Sequence, residues 1–597
     1  MTDQKNQKFP ASHSTANPEL KITARVHDSA LKRVTRMFAG IGDICTEMLQ
    51  NARRAGATRV SVSLVPSSDE GVYFVRITDD GTGIQDPAVL LSFGENGWSD
   101  DLVHREDAAG MGFLSLARRI SSLSSRVRAR DGSVNSGWRV NLRPDHFLGK
   151  AEATVYPDDS APYPHGTSVV FQASVADGGE YPGAVRNAVQ AAALHYPLPV
   201  FFKDEVTPSE PELMHRKAFL DGAVHAEPWK GLVFGIFRNP RRFGLGLEDV
   251  NFHGLTVAVR LPGVESVDGV NWKAAADIYS CPDLELVLPA RREVVETPFL
   301  QKLRETGRLA IYRAMAGQDD PRPAYTDWEQ ARDAGIHINP APAELRPWRP
   351  AIADIDDWRE MPGLKEIGMD ALIMDYDPEP PEAQAIWRAA KKGGFSKRIF
   401  EADSRLEGYR WYDRIPRITG ARFEVTGKGR TYSLEDYPVP ESRGPYEAPL
   451  PERPDAICIG LTVRADTMPG RNPGLALFLA TDLAFAGEAW SSVDRSLPLV
   501  TAGSDITTQK LAELLRAAFF APSDDIDADS RDRQESCFEQ EAGHMATRLL
   551  ESDEEAMRKS IADVVAEELF WLIPRDRGVD ISVRGRKVTV ELREPAC

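Results

Sequence analysis

The chain has 597 residues, 42% of them hydrophobic and 27% charged, with a net charge of −18. That length supplies about three or four domains with cores of their own, and the composition is that of a globular protein. The acidity removes the simplest case for an extended polyanion-binding surface. Cys45, Cys281, Cys458, Cys537 and Cys597 form no C-x-x-C pair, so neither a zinc framework nor a disulfide framework is indicated. No apolar run reaches the length of a membrane span.

In chain order, residues 1–20 are rich in Ser, Asn and Gln and lack the apolar core of a signal peptide, which predicts a flexible leader and a cytoplasmic location. Ala30–Ala39 has the spacing of an amphipathic helix. Thr46–Ala57 predicts a second one, with Ile44, Met48, Ala52 and Ala55 as an apolar stripe and Glu47 and Asn51 together on another face, one turn apart. A carboxylate can take a proton from an attacking water, and an amide oxygen suits Mg²⁺. Alone, the same pair also fits a solvated helix face. Ala57–Leu64 alternates with period two and predicts a strand, as does Tyr73–Thr78.

The second strand runs into Asp79-Asp80-Gly81-Thr82-Gly83-Ile84, where the glycines permit a tight turn and close approach to the backbone. A buried Asp at a strand end can accept a hydrogen bond from an amino group such as that of adenine. Ala109-Gly110-Met111-Gly112-Phe113 predicts a Gly-x-Gly turn opening a helix, whose free N–H groups suit phosphate. Between Ile84 and Gly110, Gly94, Gly97 and a charged run predict a hinged lid, with Phe93 and Trp98 as packing anchors. Gly166–Phe171 begins a further strand with Thr167 at its head.

These four segments, in this order and spacing, resemble the GHKL ATPases: gyrase B subunits, dimeric heat-shock chaperones, histidine kinases and the mismatch-repair protein MutL. The resemblance covers residues 20–315. It implies an α/β and α+β multidomain chain. A GHKL (Bergerat-type) α/β sandwich would span 21–183 and an S5-like β-α transducer domain 184–316. A linker (317–350), an unrecognised α+β region (351–520) and a C-terminal helix and β-hairpin module (521–597) would follow. It also implies roles: Glu47 as general base, Asn51 as Mg²⁺ ligand, and Asp79 as acceptor for the adenine amino group, with Gly81 and Gly83 letting the base approach. Gly110, Met111, Gly112 and Phe113 would wrap the phosphates of ATP, and Thr167 would support the adenine end. Pro289-Ala-Arg-Arg-Glu-Val294 resembles the MutL loop that sends a cation to the γ-phosphate; here that cation is Arg291, with Arg292 the alternative.

Other features favour plainer readings. Arg118, Arg119, Arg126, Arg128 and Arg130 form a basic cluster read as a helix end and strand face. Phe243-Gly-Leu-Gly-Leu-Glu-Asp249 lacks the strand-then-helix context of a phosphate loop and predicts a β-turn or bulge. Strands are predicted at 231–237, 255–261 and 284–296, and a helix through Arg304 and Tyr312. Farther on, Met369–Met374 predicts a strand, Pro381–Lys392 a helix and Arg422–Thr426 a strand. Asp375 and Asp377 form a weak candidate metal pair. A helix over 535–572 and a hairpin around Gly585 close the chain.

His13 and His27 are the only histidines ahead of Glu47, too little for a phosphoacceptor module, so kinase chemistry is disfavoured. The resemblance implies instead an ATP-gated switch: a homodimer formed on ATP binding and reset by slow hydrolysis, acting on a protein client in a chaperone-like or clamp-like way. An ATPase subunit acting on DNA is the alternative. A non-hydrolysing ATP-binding signalling module is the third reading, opposed by the intact Glu47 and Asn51.

Overall fold

The computed structural model describes residues 40–92, 112–129, 131–135, 137–158, 164–175, 179–206, 210–240, 249–285, 294–350, 363–440, 450–465, 475–524, 529–566, 570–573, 578–585 and 587–593. It is a mixed α/β molecule with several sheets. The chain divides into two compact units: the first ends at Asp319 and takes in Ala331–Ile338, and the second comprises Asp320–Gln330 and continues from Asn339. The leader, the Ala30–Ala39 helix, most of the expected lid with Phe93, Gly94, Gly97 and Trp98, the Phe243–Glu248 turn and the 286–293 loop lie outside the described residues. Among the described residues no helix is long and apolar enough to cross a membrane.

The first unit begins with α1 (Ile41–Arg54). Asp43 in its first turn accepts from the Gly40 N–H at 3.3 Å, and Arg53 and Arg54 in its last turn complement the helix dipole. Gly56 ends it at φ +67°, with Ala57 N–H donating to Ala52 O and Gly56 N–H to Arg53 O, a Schellman arrangement that satisfies the last carbonyls. The chain then lays down β1 (Val60–Pro66), β2 (Val72–Asp79), β3 (Ser121–Arg126), β4 (Trp138–Leu142), β5 (Val155–Pro157) and β6 (Gly166–Ser174). After α2 (Pro182–Ala193) come β7 (Val200–Asp204) and β8 (Glu212–Leu213). The eight strands form one sheet in the order β5-β4-β3-β6-β2-β1-β7-β8, antiparallel throughout except for β1 beside β7. Val60, Val62 and Leu64 alternate inward along β1 and meet Ile44, Met48 and Ala52 of α1 and Val185 and Val189 of α2 in one core. The predicted stripe of α1 is therefore buried. So too are Glu47, Gln50 and Arg54, and α1 has no freely solvated polar face over this stretch.

A second sheet follows in the same unit: β9 (His225–Trp229), β10 (Leu232–Arg238), β11 (Val250–Phe252), β12 (Leu255–Val257), β13 (Gly263–Glu265) and β14 (Asn271–Ile278). Its order is β12-β11-β14-β10-β9, with β13 paired to β14. Helix α3 (Pro298–Ala316), capped by the Thr297 hydroxyl, buries Leu303, Ile311 and Met315. The expected strand at 255–261 stops at Val257.

The stretch expected as a linker is ordered, with α4 (Tyr325–Asp333) and β15 (Glu344–Leu345) inside it. No Pro or Gly interrupts Tyr325–Asp333, so nothing in that nine-residue segment breaks the helix. In the second unit β15 pairs with β16 (Lys365–Glu366), and β17 (Leu372–Met374), α5 (Pro380–Lys392) and β18 (Ile399–Glu401) make a parallel βαβ unit. β19 (Arg417–Gly427), β20 (Arg430–Ser433), β21 (Ala456–Arg464) and β22 (Leu475–Thr481) extend it, in the order β18-β17-β19-β21-β22 with β20 on β19. The hairpin of β23 (Leu483–Gly487) and β24 (Ser496–Val500) shares a core with α6 (Thr508–Phe519) and α7 (Arg531–Leu550).

The single helix expected over 535–572 is interrupted: α7 stops at Leu550 and α8 (Asp553–Val564) starts afresh. Ser552 caps α8 by accepting from Glu555 N–H at 3.1 Å, with three acidic residues in the first turn, a local start signal stronger than continuation. The chain closes with the predicted hairpin, β25 (Val579–Arg584) and β26 (Lys587–Leu592).

Candidate functional site

Two groups of side chains converge on α1. The first is Glu47, whose carboxylate is buried and whose Oε2 finds no hydrogen-bond donor among the described residues. A buried carboxylate oxygen left unpaired is costly, so Glu47 stands where a donor from outside the protein would be stabilised. Against it lies Gly112: a Cβ there would come within 2.7 Å of Glu47 Oε2 and 3.4 Å of Asn51 Nδ2. The last glycine of the Gly-x-Gly turn, the carboxylate and the carboxamide are thus brought together from positions 61 to 65 residues apart.

The local structure after Gly112 differs from expectation. Gly112–Leu116 is a single 3-10 turn of five residues, not an α-helix, so no helix dipole serves phosphate there. Leu114, Ser115 and Leu116 are drawn into the core, and Ser115 turns its hydroxyl back to Gly112 O at 2.7 Å, closing the turn. Phe113 packs against the core from a half-buried position. Gly110 and Met111 lie outside the described residues, as do Arg291 and Arg292.

Asn51 is half-buried, and its Oδ1 accepts from Arg54 Nη1 at 3.4 Å while its Nδ2 faces Gly112. Rotating the amide exchanges the two atoms. Among the described residues no group of three or more His, Cys, Asp or Glu side chains could hold a metal. Mg²⁺ with a nucleotide needs no such cage, because it keeps waters and takes most remaining ligands from phosphate; a single Asn oxygen beside Glu47 fits that requirement.

The second group surrounds Asp79. Burial pushes its carboxyl up to about 6, against the N–H groups of Gly81 and Thr167, which hydrogen-bond the charged form. The Gly81 N–H stands 2.8 Å from Asp79 Oδ1. The loop is tied to the end of α1: Thr82 N–H donates to Ala55 O at 2.9 Å, and Asp80 accepts from the Thr58 and Arg59 N–H groups. The glycines serve packing here. A Cβ on Gly81 would lie 2.7 Å from Ala55 Cβ, and one on Gly83, at φ +80°, 2.2 Å from Arg126 O. Thr167 contributes its amide to Asp79, and its buried hydroxyl stands 3.3 Å from Ser125 Oγ.

Sequence reasoning assigned no role to several supports of this loop. Ser125, buried in β3, donates to Gly166 O at 3.0 Å and accepts from the Ile84 N–H at 2.8 Å. His165 Nδ1 stands 2.9 Å from Gly81 O, so that nitrogen carries the proton if the contact is a hydrogen bond. Gly166, at φ +117°, lets Asp79 O pass where a Cβ would lie only 2.0 Å away. On the far side of α1, Gln50 Nε2 donates to His253 O at 2.9 Å, and Tyr196 donates to Leu49 O. Asn251 shapes that His253–Gly254 turn, accepting from the Gly254 N–H at 3.0 Å and donating to Asp277 at 2.7 Å. The second sheet is thereby seated on the helix that carries Glu47 and Asn51.

Two other sequence features resolve as structural. Arg119 pairs with Glu180 and donates to Gln172 O, consistent with the plain reading of that cluster member. Asp375 is held by Arg417 at 2.9 Å, which neutralises it as a metal ligand. In comparisons with known proteins, no family model and no curated protein matches the chain.

Proposed function

We propose that this chain is a Mg²⁺-dependent ATP hydrolase of GHKL type, working as a dimeric switch on a protein client. The observation that carries the reading is the packing of Gly112 against the buried Glu47 carboxylate, whose Oε2 has no partner among the described residues, with Asn51 one turn farther along α1. Supporting it, the Asp79 loop is bonded to Ala55, eight residues beyond Glu47 and hence about 12 Å along the helix axis. That is the length scale between a nucleobase and its terminal phosphate.

In this reading the Asp79 carboxylate accepts from the exocyclic amino group of adenine, and the triphosphate runs along α1 toward Glu47. Glu47 takes the proton from a water as its oxygen bonds to the γ-phosphorus. The bond from that phosphorus to the bridging oxygen breaks, leaving ADP and phosphate. Bound Mg²⁺ would neutralise phosphate charge, with Asn51 as its protein ligand. Glu47 is suited to its part by burial, which keeps competing water away. The Gln50–His253 bond gives the second sheet a direct purchase on the same helix.

The test is Mg²⁺-ATP hydrolysis by the wild type and Glu47→Ala, with nucleotide binding and solution mass measured in parallel. The reading requires that the variant still bind ATP, lose turnover by about 100-fold or more, and accumulate as an ATP-bound dimer. A wild type that binds no ATP, or a variant that turns over normally, removes it. Adding DNA or candidate clients to the wild-type assay then separates a DNA-acting role from a client-acting one.

A further inference from the structure

The outer face of the eight-stranded sheet carries a charge pattern opposite to that of the chain. Strand register sets Lys203, Ser63, Arg76, Val170, Ser122 and Asn141 directly opposite one another in one row across β7-β1-β2-β6-β3-β4. Two residues away along the strands, an adjacent row runs from Phe201 through Ser61, Thr78, Ser168 and Ser124 to Arg139, and then to Tyr156. Successive side chains alternate between faces, and the residues between these rows, such as Val62, Ile77, Leu123 and Val169, sit in the core shared with α1 and α2. The two rows therefore lie on the side of the sheet away from Glu47 and Asn51. Ser61, Arg76, Arg139 and Asn141 are exposed there.

The thirteen positions of the two rows hold three cations and no carboxylate. At the chain's own composition, 90 acidic residues in 597, about two of them would be acidic. Among the described residues Lys203, Arg76 and Arg139 have no carboxylate partner, whereas Arg119, Arg186 and Arg304 of the same unit each have one. Unpaired cations fixed on one face by strand pairing leave a local positive potential in an acidic molecule. Between them stand short hydroxyl side chains, with Thr78 Oγ1 and Ser168 Oγ 3.1 Å apart, and a hydroxyl can donate to an anion.

The complement of this face is anionic and short. From Lys203 to Asn141 is five strand spacings, about 24 Å, the length of about seven extended residues. The chain around the face is acidic, −18 overall. A polyanion that continues past the face, as a nucleic acid does, meets accumulating repulsion, while a short acidic segment ends where the cations end. Residues 1–39 hold seven basic and three acidic side chains, or +4, and so share the sign of the face. Carboxylates on one side of an extended chain recur about every 7 Å, which puts one within reach of each flexible Arg or Lys arm.

We propose that this outer face binds an extended, acidic segment of a partner protein, laid across the strands between Lys203 and Arg139. The contact is electrostatic and salt-sensitive. It does not involve the nucleotide site and stands whether or not the chain hydrolyses ATP.

The test is fluorescence anisotropy of a labelled hepta-glutamate peptide with the full chain, without nucleotide, at about 50 mM and about 300 mM salt, where exposed charge pairs are weakly and strongly screened. Wild type is compared with Arg76→Glu combined with Arg139→Glu. A second double variant, Arg414→Glu with Arg430→Glu, makes the same change in net charge at two exposed cations of the other unit. All four positions are exposed, and unchanged circular dichroism establishes that both variants fold. Wild type is expected to bind hepta-glutamate and not hepta-glutamine, and to release it at the higher salt. The change at Arg76 and Arg139 is expected to weaken binding at least about tenfold, and the change at Arg414 and Arg430 by no more than about twofold. No binding of hepta-glutamate up to about 1 mM overturns the proposal. So does equal weakening by the two double variants, which would reflect net charge alone. So does an oligothymidylate of about 20 nucleotides that binds more tightly than the peptide and is lost with Arg76 and Arg139, which would make the face a nucleic-acid site.

Discussion

Replacing Gly112 with Ala tests whether the turn and Glu47 form one working unit. The new Cβ would stand 2.7 Å from Glu47 Oε2, where ordinary van der Waals contact begins at 3.4 Å, so the two must separate by at least 0.7 Å. The Asn51 amide, at 3.4 Å, leaves little room on that side. The carboxylate is the far end of a flexible side chain and yields more readily than backbone, so the cost to stability is at the low end of overpacking, about 1 kcal/mol. The cost to catalysis is larger. A displacement approaching 1 Å in a reacting group lowers rates by up to about 100-fold, so kcat for ATP hydrolysis should fall by about 10- to 100-fold with a melting shift of only a few degrees. The decisive assay is a double-mutant cycle of steady-state turnover. If Gly112 acts through Glu47, adding Gly112→Ala to Glu47→Ala costs nothing more. Full turnover in Gly112→Ala, or additive losses in the double variant, would refute the coupling.

Four further outcomes follow from the geometry. Since burial pushes Asp79 up to about 6 and its ionised form is the stronger acceptor for an amino donor, ATP affinity should rise with pH through 6 and level off above it, a profile that Asp79→Asn flattens in a fluorescence binding titration. The same raised value means that the native protein holds a proton there which the unfolded chain has released; its stability contribution is present below the unfolded value of 3.8 and lost as pH rises toward 6. The melting temperature of wild type should therefore fall relative to Asp79→Asn across that window. Gly166→Ala, with its Cβ 2.0 Å from a backbone carbonyl at φ +117°, should lose about 3 kcal/mol or more in urea unfolding, and a loss under about 1 kcal/mol would contradict the packing. Arg119→Ala strands Glu180, whose side chain is only 12% exposed, and should cost about 3 kcal/mol, while a Glu180→Ala second change restores most of it.

Much of the secondary structure was legible because its signals are local. The period-two runs at Val60–Pro66 and Val72–Asp79 and the hairpin around Gly585, where φ is +58°, stand close to where alternation and Gly put them. The helix break at Ser552 was equally local, and its cap-and-acid pattern outweighed a long helical periodicity. The candidate site was legible only in part. Glu47, Asn51, Asp79 and Gly112 are recognisable by residue type and spacing, but Ser125 is one of four serines in Ser121–Arg126. Which serine serves the Asp79 loop depends on the pairing of β3 with β6, which no local pattern encodes.

Residue type and spacing by themselves nominated the groups that could do chemistry, a helix through Glu47 and Asn51, and glycine around Asp79; the helix runs from Ile41 to Arg54 rather than from Thr46 to Ala57. Tertiary structure alone decided what those glycines accommodate: Gly81 meets Ala55, Gly83 meets Arg126, and Gly166 meets Asp79, all backbone or side-chain neighbours brought in by the fold. It also decided that Glu47 is buried rather than solvated. The helix's own periodicity places Glu47 off the apolar stripe, and the group that covers it, Gly112, arrives from 65 residues away. Burial is a sum over contacts between distant segments, so a short-range pattern can nominate a carboxylate but cannot say whether water reaches it.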